Sequence, residues 1–249
     1  MSQCTYVLIT GCNRGIGRGL IEKYIARPNH LVVAAVRDPT AKTSKELLHA
    51  TKGTDSRCIL VKIDSASETD ALEAISTLER DHGIGKLDLV IANAGISKFF
   101  GTAEVTPVVE MMDHFNINSV APLLLFQATW PLLHAAKAPK FVTISSGAGS
   151  LGLMENLRVE NTAYGSSKAA LNFITRRIHF EKPDLVAFSI NPGWLQTDLG
   201  NHAAQSSGLS AAPVSVQDGV NGIVSVINGA TREVTSGRFL SWENNEIPW

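Results

Sequence analysis

The sequence predicts an α/β protein with a doubly wound parallel sheet of about seven strands and helices on both faces. Three observations predict this fold. Short apolar, β-branched runs alternate with longer amphipathic stretches along the chain. The runs are almost continuously apolar, which is typical of parallel strands that are covered on both faces. A glycine-rich turn joins the first apolar run to the first amphipathic stretch.

The predicted strands are the apolar runs themselves. They are YVLIT (6–10), LVVAAV (31–36), CILVKI (58–63), LDLVIA (87–92), KFVTIS (140–145), LVAFSI (185–190) and GRFL (237–240). The amphipathic stretches between them predict helices. Three stretches after strands, residues 95–107, 145–163 and 193–215, are predicted to be loops. Ligands bind at the carboxyl ends of the strands in such sheets, so all three loops should border the ligand.

Bulk composition limits the classes of function. The 249 residues fit one domain, 1–249, and 22 Lys and Arg nearly balance 23 Asp and Glu, so no nucleic-acid or membrane partner is indicated. Cys4, Cys12 and Cys58 have no zinc-site or disulfide spacing, and the scattered histidines predict no metal site. No apolar run approaches the ~20 residues of a spanning helix. We expect a soluble, cytoplasmic protein.

The glycine-rich turn lies in VLITGCNRGIGRGLIEKY, which reads as a strand, a turn with Gly11, Gly15 and Gly17, and a helix. Glycine permits positive φ and lets backbone N–H groups approach a pyrophosphate at the positive end of a helix. At the first strand-to-helix junction, this pattern indicates dinucleotide binding, although a purely structural turn is the alternative. A Walker A sequence is absent, which disfavours nucleoside triphosphate hydrolysis.

The end of the second predicted strand bears on the choice of dinucleotide. A carboxylate there would accept the 2′-hydroxyl of NAD, whereas an arginine can pair with the 2′-phosphate of NADP. Arg37 occupies the strand end and Arg14 lies in the glycine turn, which together favour NADP(H). Asp38 follows directly and keeps NAD open, and either arginine could be an ordinary exposed charge.

Tyr164 and Lys168 are the predicted reactive pair. Their i, i+4 spacing puts both side chains on one face of a helix that should begin near Ala163. A phenol with a pKa near ~10 is a poor acid–base catalyst at neutral pH, and a nearby ammonium lowers that pKa. Ser145 and Ser146 end the strand before this helix, so they should reach the same edge of the sheet.

These residues resemble a known family. TGCNRGIG (10–17), ANAG (92–95), Asn118, Ser146, YGSSK (164–168) and NPGWLQT (191–197) occur in the order typical of the short-chain dehydrogenase/reductase family. The resemblance covers essentially the whole chain and implies a Rossmann fold with oxidoreductase activity. More narrowly, GRGLIEKY, SETDA, APLLLFQAT, AYGSSKAALNF and the final TSGRFL and IPW are similar to the fungal norsolorinic acid ketoreductase branch, which reduces ketones on aromatic polyketides.

The resemblance implies a role for each matching residue. Tyr164 would protonate the carbonyl oxygen during reduction, and Lys168 would lower the pKa of Tyr164 and bond the nicotinamide ribose. Ser146 would polarise the carbonyl, and Asn118 would hold a water that links Lys168 to solvent. The implied cofactor-binding residues are Gly11, Asn13, Arg14, Gly15, Ile16, Gly17, Arg37, Asp64, Ser65, Asn93, Ala94, Gly95, Tyr164, Lys168, Pro192, Gly193, Leu195 and Thr197. A homodimer or homotetramer, assembled through the helices that begin near Val109 and Tyr164, is also implied.

The chain departs from the family pattern at two places. Ala92 stands where the family usually has a first asparagine before Asn93. The family's serine usually lies closer to the tyrosine, whereas eighteen residues separate Ser146 from Tyr164, which we interpret as a loop insertion around LMENLRVEN. Ser150 is the competing choice on spacing alone. Ser146 is the predicted catalytic serine because it directly follows the strand.

The predicted loops suggest the kind of substrate. Their apolar and aromatic members suit a hydrophobic, polycyclic substrate, or alternatively only pack the loops down. These residues are Phe99, Phe100, Leu151, Leu153, Met154, Leu157, Trp194 and Leu199. The leading prediction is an NADPH-dependent carbonyl reductase acting on a small hydrophobic ketone of the aromatic or polyketide type in secondary metabolism. The alternatives are an NADP-sensing regulatory protein without turnover and an NAD-dependent alcohol dehydrogenase of a different small substrate.

Overall fold

Seven parallel strands form the sheet in the computed structural model, which describes residues 4–156 and 159–249. They are β1 Thr5–Thr10, β2 His30–Val36, β3 Arg57–Lys62, β4 Leu89–Ala92, β5 Lys140–Ile144, β6 Val186–Asn191 and β7 Phe239–Ser241. Their order is β3-β2-β1-β4-β5-β6-β7, and every neighbouring pair is parallel. The predicted doubly wound (Rossmann) sheet is confirmed, and each strand ends within two residues of its predicted run.

Helices cover both faces of this sheet. They are α1 Gly15–Ile25, α2 Lys42–Lys45, α3 Asp70–His82, α4 Val108–Phe115, α5 Ala121–His134, α6 Thr162–Glu181, α7 Asp198–Ser206 and α8 Val216–Gly229. One apolar core packs α1 and α8 against the sheet, and a second core packs α3 and α5 against the opposite face. Burial on both sides explains the continuous apolar runs of the strands. Within the described residues, no helix has both the length and the apolarity that crossing a membrane requires.

The strand order changes direction next to β1, which lies between β2 and β4. In a doubly wound sheet, this switch point opens a crevice at the carboxyl ends of the strands. The two turns at the crevice are in close contact, because a Cβ atom on Gly11 would lie 2.8 Å from the Cα of Ala94. Gly11 also has a φ of +63°, so this position favours glycine both by backbone conformation and by space.

The prediction that residues 193–215 form a loop is wrong, because this stretch contains α7. The Thr197 hydroxyl accepts the N–H of Gly200 at 3.0 Å and caps the first turn of the helix. This helix is nine residues long and Leu199 is its one large apolar residue, which is why the sequence pattern did not indicate it. Backbone hydrogen bonds join the chain segments before and after α7. The Gln196 N–H donates to the Val214 carbonyl oxygen at 2.9 Å, and the Val214 N–H donates to the Trp194 carbonyl oxygen at 3.1 Å.

The other two predicted loops contain little regular structure. Residues 95–107 have no helix and only an isolated bridge from Gly101 to Asn161. The stretch after β5 contains two short 3₁₀ turns, at Gly147–Gly149 and Met154–Asn156, before α6 begins at Thr162. Both predictions are confirmed for the residues that the structure describes, and α6 begins one residue before its predicted start.

Candidate active site

A cavity of about 770 Å³ lies at the carboxyl edge of the sheet. All three predicted border segments line it, through residues such as Phe100, Leu151 and Leu199. The expectation that these segments meet at one site is therefore confirmed. The cavity is within the size range of small-molecule and cofactor sites.

The predicted reactive pair faces this cavity from the first turns of α6. Tyr164 and Lys168 both line it, and the Lys168 Nζ lies 5.8 Å from the centre of the Tyr164 ring. Lys168 is only 4% exposed, and its Nζ donates a hydrogen bond of 2.8 Å to the carbonyl oxygen of Ile144, the last residue of β5. The sheet thus fixes the ammonium, while half-buried Tyr164 presents its ring to the cavity.

Burial shifts the pKa values of these two groups in opposite directions. Loss of hydration lowers the pKa of the Lys168 ammonium to about 8. The same effect raises the pKa of the Tyr164 phenol above its usual value, and a hydrogen bond with Ser146 acts in the opposite direction. Near neutral pH, Tyr164 therefore keeps the proton that a general acid must donate, and Lys168 keeps most of its charge.

The two candidate serines have different surroundings. Ser146 is the second residue after β5, lines the cavity, and accepts the Ala148 N–H at 3.2 Å. Ser150 is 1% exposed and its hydroxyl donates to the carbonyl oxygen of Pro248. The same hydroxyl accepts the N–H of Leu153 at 3.1 Å. Ser146 is thus the serine beside Tyr164, although its catalytic role stays a prediction.

Asn118 lies in a π-helical segment, Asn116–Val120, between α4 and α5. Such segments are frequent at functional sites. Its amide exchanges two hydrogen bonds with the backbone of Ile96, at 2.8 and 2.9 Å, and donates a third to the Ser167 hydroxyl at 2.9 Å. A Cβ atom on Gly95 would lie 3.0 Å from the Asn118 Oδ1 and 3.5 Å from the Lys168 Nζ. The Asn118 side chain therefore holds the loop after β4, and its predicted water-binding role stays a prediction.

The glycine turn has the conformation that its sequence predicts. Gly15 has a φ of +53°, and a Cβ atom on Gly17 would lie 2.4 Å from the carbonyl oxygen of Gly11. Ile16 lines the cavity just inside the N-terminus of α1. The Asn93 amide donates to the carbonyl oxygens of Thr10 at 2.8 Å and Gly11 at 3.1 Å. Asn93 thus holds the turn in place, a function that its position in the sequence did not reveal.

The charged side chains of the glycine turn and of the end of β2 differ in their contacts. Arg37 is exposed directly after β2. The Asp38 carboxylate accepts hydrogen bonds from the Thr40 backbone at 2.8 Å and the Thr40 hydroxyl at 2.7 Å, and these bonds lower its pKa. The Arg14 guanidinium forms an exposed ion pair of 2.9 Å with Asp198, at the start of α7. Asp38 is thus engaged with its own turn, whereas Arg37 is exposed.

The remaining predicted cofactor residues occupy three places. Pro192, Gly193, Leu195 and Thr197 line the large cavity, and the Thr197 Cγ2 lies 3.2 Å from the Cβ position of Gly15. Asp64, Ser65 and Ala94 instead line a separate space of about 20 Å³ beside Thr10, between β3 and β4. The Asn13 amide donates to the Thr43 hydroxyl at 3.3 Å. The predicted cofactor residues are therefore divided between the large cavity, the small space beside Thr10 and the glycine turn.

The apolar wall of the cavity matches the predicted residues only in part. Phe100, Leu151, Met154, Trp194 and Leu199 line it. Phe99 does not, because its ring packs on Gly101, where a Cβ atom would lie 2.6 Å away. Leu157 lies outside the described residues. Asn161 and Asn191 also line the cavity; Asn191 begins the NPGWLQT motif but was not a predicted site residue, and no motif contained Asn161.

Comparisons with known proteins agree with this geometry. The family model described as short chain dehydrogenase matches residues 5–208. The chain is 43% identical over 249 residues to the norsolorinic acid ketoreductase of Aspergillus parasiticus, covering 98% of this chain and 91% of that protein. It is 40% identical over 247 residues to norsolorinic acid ketoreductase stcE of Emericella nidulans, covering 98% and 94%.

Among solved structures, NADPH-bound carbonyl reductase from chicken fatty liver superposes with a TM-score of 0.85 at 28% identity, covering 100% of both chains. Three findings agree: the family model matches most of the chain, two relatives match nearly its full length, and the fold is shared. The chain belongs to the short-chain dehydrogenase family.

Proposed function

We propose that the protein is an NADPH-dependent ketoreductase that transfers hydride to a ketone of the aromatic or polyketide type in secondary metabolism. One observation carries the proposal: Ser146, Tyr164 and Lys168 meet at a cavity that also has an apolar wall and borders the glycine turn. Two relatives above 35% identity are named norsolorinic acid ketoreductase, which supports the choice of a ketone.

The mechanism assigns one task to each side chain. The Ser146 hydroxyl and the Tyr164 phenol hold the ketone oxygen, and Tyr164 donates its proton to that oxygen. Lys168 stabilises the phenolate that forms, because its ammonium is fixed by Ile144 beside the ring. Bound NADPH would supply a hydride for the carbonyl carbon, which with the proton from Tyr164 accounts for the two hydrogens that reduction to the alcohol adds. The positive-φ glycines at the N-terminus of α1 fit the pyrophosphate of such a cofactor.

Initial rates with NADPH and NADH, measured against a panel of ketones, test the proposal. We expect oxidation of NADPH that depends on the ketone, with NADH a poorer donor. Tight NADPH binding with no ketone turnover would favour the NADP-sensing regulatory protein instead. Oxidation of an alcohol with NAD, but no reduction of ketones with NADPH, would favour the alcohol dehydrogenase.

Arg37→Ala is expected to weaken NADPH binding by roughly tenfold and to leave NADH binding nearly unchanged, because a charge-assisted bond to the 2′-phosphate is lost. Dissociation constants from NADPH fluorescence provide the measurement. Arg57→Ala is the matched control, since Arg57 is an exposed arginine at the first residue of β3, the opposite end of a neighbouring strand. Equal weakening by both substitutions would argue against the assignment of Arg37.

Ser146→Ala is expected to lower kcat for cyclohexanone by roughly 10²-fold, because one donor to the developing oxyanion is removed. Ser150→Ala should retain kcat with the same ketone, since the Ser150 hydroxyl bonds Pro248. Steady-state kinetics of both variants provide the measurement. If Ser150→Ala abolished turnover and Ser146→Ala did not, the assignment of the serine would be wrong.

We also propose that the chain acts as a single domain, 1–249, in the cytoplasm, and that it forms a homodimer or homotetramer. The sulfur atoms of Cys4, Cys12 and Cys58 are free thiols, as a reducing compartment favours.

Large apolar side chains stay exposed on α4, including Val108 and Met112. More lie on α6, at Phe173 and Phe180. Such a surface is typical of an interface.

Sedimentation should therefore give at least twice the mass of the 26.7 kDa chain. We expect Phe173→Glu to shift the species toward the monomer, because a charge would be buried in the interface. Leu72→Glu is the matched control, since exposed Leu72 lies on α3, away from α4 and α6. A wild-type chain that sediments as a monomer would contradict the proposal.

A further inference from the structure

The loop that follows the active-site strand forms one wall of the cavity. Leu151 and Met154 line the cavity from this loop, yet they are 68% and 59% exposed. Two apolar side chains with so much surface open to solvent make few contacts that could hold them in one place. The position of this wall must therefore come from other contacts of the loop.

Those contacts are made with residues 247–249, called here the tail segment. The Gly152 N–H donates a hydrogen bond of 2.9 Å to the carbonyl oxygen of Trp249. The Ser150 hydroxyl donates to the carbonyl oxygen of Pro248. A Cβ atom on Gly152 would lie 2.8 Å from the Cβ of Pro248, so glycine allows the two segments to approach. The residues on either side of Leu151 are thus both bonded to the tail segment.

The tail segment is itself anchored on the sheet and on α6. The Trp249 ring stacks on Phe239 of β7, with centroids 5.7 Å apart and an interplanar angle of 28°. The Arg176 guanidinium lies 5.0 Å from the centre of the same ring. The Ile247 N–H donates to the Phe239 carbonyl oxygen at 2.8 Å. The tail segment therefore connects the loop to β7 and α6.

We propose that Ser150, Gly152 and Trp249 are positioning residues that set the shape of the substrate wall and thereby select large ketones. This inference rests on the proposed function. A polycyclic ketone covers more of the apolar wall than a small ring does, so its affinity depends more on where Leu151 and Met154 are held. The positioning role also explains why Ser150 is buried next to the cavity-lining loop residues while its hydroxyl bonds Pro248 of the tail segment.

Kinetics with two ketones separate this role from a general structural one. For Trp249→Ala and Ser150→Ala, KM for fluorenone should rise roughly three- to tenfold. KM for cyclohexanone, kcat for cyclohexanone and the NADPH dissociation constant should stay near the wild-type values. Trp249→Phe should restore most of the fluorenone KM, because a phenyl ring can still stack on Phe239. An equal rise in KM for both ketones, or no rise for either, would overturn the proposal.

Glu246→Gln is the matched control. Glu246 precedes the tail segment and forms an exposed ion pair with Arg238, and among the described residues its carboxylate makes no hydrogen bond to the loop. This variant should leave the ratio of the two KM values unchanged.

Hydrogen–deuterium exchange gives a readout that is independent of turnover. The Gly152 and Leu153 amides should exchange faster in Ser150→Ala and Trp249→Ala, and at the wild-type rate in Glu246→Gln. Unchanged exchange in both loop-contacting variants would also overturn the inference. A protein that failed to reduce any ketone would contradict the proposed function, while the exchange rates would still report whether the tail segment positions the loop.

Discussion

Tyr164→Phe is expected to lower kcat for ketone reduction by roughly 10²- to 10⁴-fold, because the substitution removes the proton that the carbonyl oxygen must receive. NADPH binding should change much less, since the glycine turn and Arg37 are untouched. The ring remains in place and continues to pack beside Lys168, so folding should be preserved. Single-turnover oxidation of bound NADPH, together with a binding titration, separates these two effects.

Tyr24→Phe provides the matched control for this experiment. Among the described residues, the Tyr24 hydroxyl is buried with no hydrogen-bond partner, and burial raises its pKa. Tyr24 lies on α1 and packs in the core of the opposite layer, so its loss should leave kcat unchanged. If Tyr164→Phe kept more than about a tenth of wild-type turnover, a different proton donor would be needed.

Lys168→Met is expected to change activity and stability in opposite directions. Turnover should fall by roughly 10²-fold or more, because the charge that stabilises the Tyr164 phenolate is lost. The free energy of unfolding should rise, because the folded state no longer buries an ammonium. Lowering the Lys168 pKa from 10.5 to about 8 corresponds to an unfavourable contribution of about 3 kcal/mol when the group is charged. The lost hydrogen bond to Ile144 offsets part of that gain.

The pH dependence of this stability gain has a definite sign. Between about pH 8 and 10.5, the unfolded chain binds a proton at Lys168 that the folded chain has released. The wild-type protein therefore recovers stability as pH rises through this window, and below it the full cost of the buried charge remains. The advantage of Lys168→Met should be largest below pH 8 and shrink above it. Urea unfolding on both sides of this pKa checks the trend, and an advantage that grew with pH would contradict it.

Lys140→Met is the matched control for Lys168→Met, because it removes a different lysine whose pKa is also lowered by burial. Burial also lowers the pKa of Lys140, whose Nζ donates to the Ile227 carbonyl oxygen at 2.6 Å near the end of α8. Lys140 begins β5, whereas the cavity lies beyond the other end of that strand. This variant should keep wild-type turnover.

The fold could be predicted from the sequence because its strongest signal is local. Strands that are buried on both faces must be continuously apolar, so β1 to β6 are visible as short runs of such residues. The spacing of Tyr164 and Lys168 carries the same kind of information, since helix periodicity alone puts them on one face. The helix α7 gave no such signal, because it is nine residues long and Leu199 is its one large apolar residue.

The contacts that define the site could not be predicted, because they join residues far apart in sequence. Ser150 and its partner Pro248 are separated by 98 positions, and Arg14 and Asp198 by 184. Spacing alone made Ser150 a candidate for catalysis, and the structure distinguishes it from Ser146 because Ser150 is buried against the tail segment whereas Ser146 lines the cavity. The side-chain direction of Asn93 is a similar example, since its place in a motif did not show that its amide bonds the glycine turn.

The backbone hydrogen bonds that join the chain segments before and after α7 have a consequence for engineering. Backbone groups of Trp194, Gln196 and Val214 make the two hydrogen bonds that close the intervening stretch, so closure does not depend on which side chains lie between them. Residues 198–212 lie between these closing bonds and carry part of the cavity wall, through Leu199, Gly200 and Ala203. The predicted catalytic residues Ser146, Tyr164 and Lys168 lie just after β5 and on α6, outside this stretch. Substitutions in this stretch should therefore reshape one wall of the cavity, and with it the choice of substrate, while Ser146, Tyr164 and Lys168 stay in place.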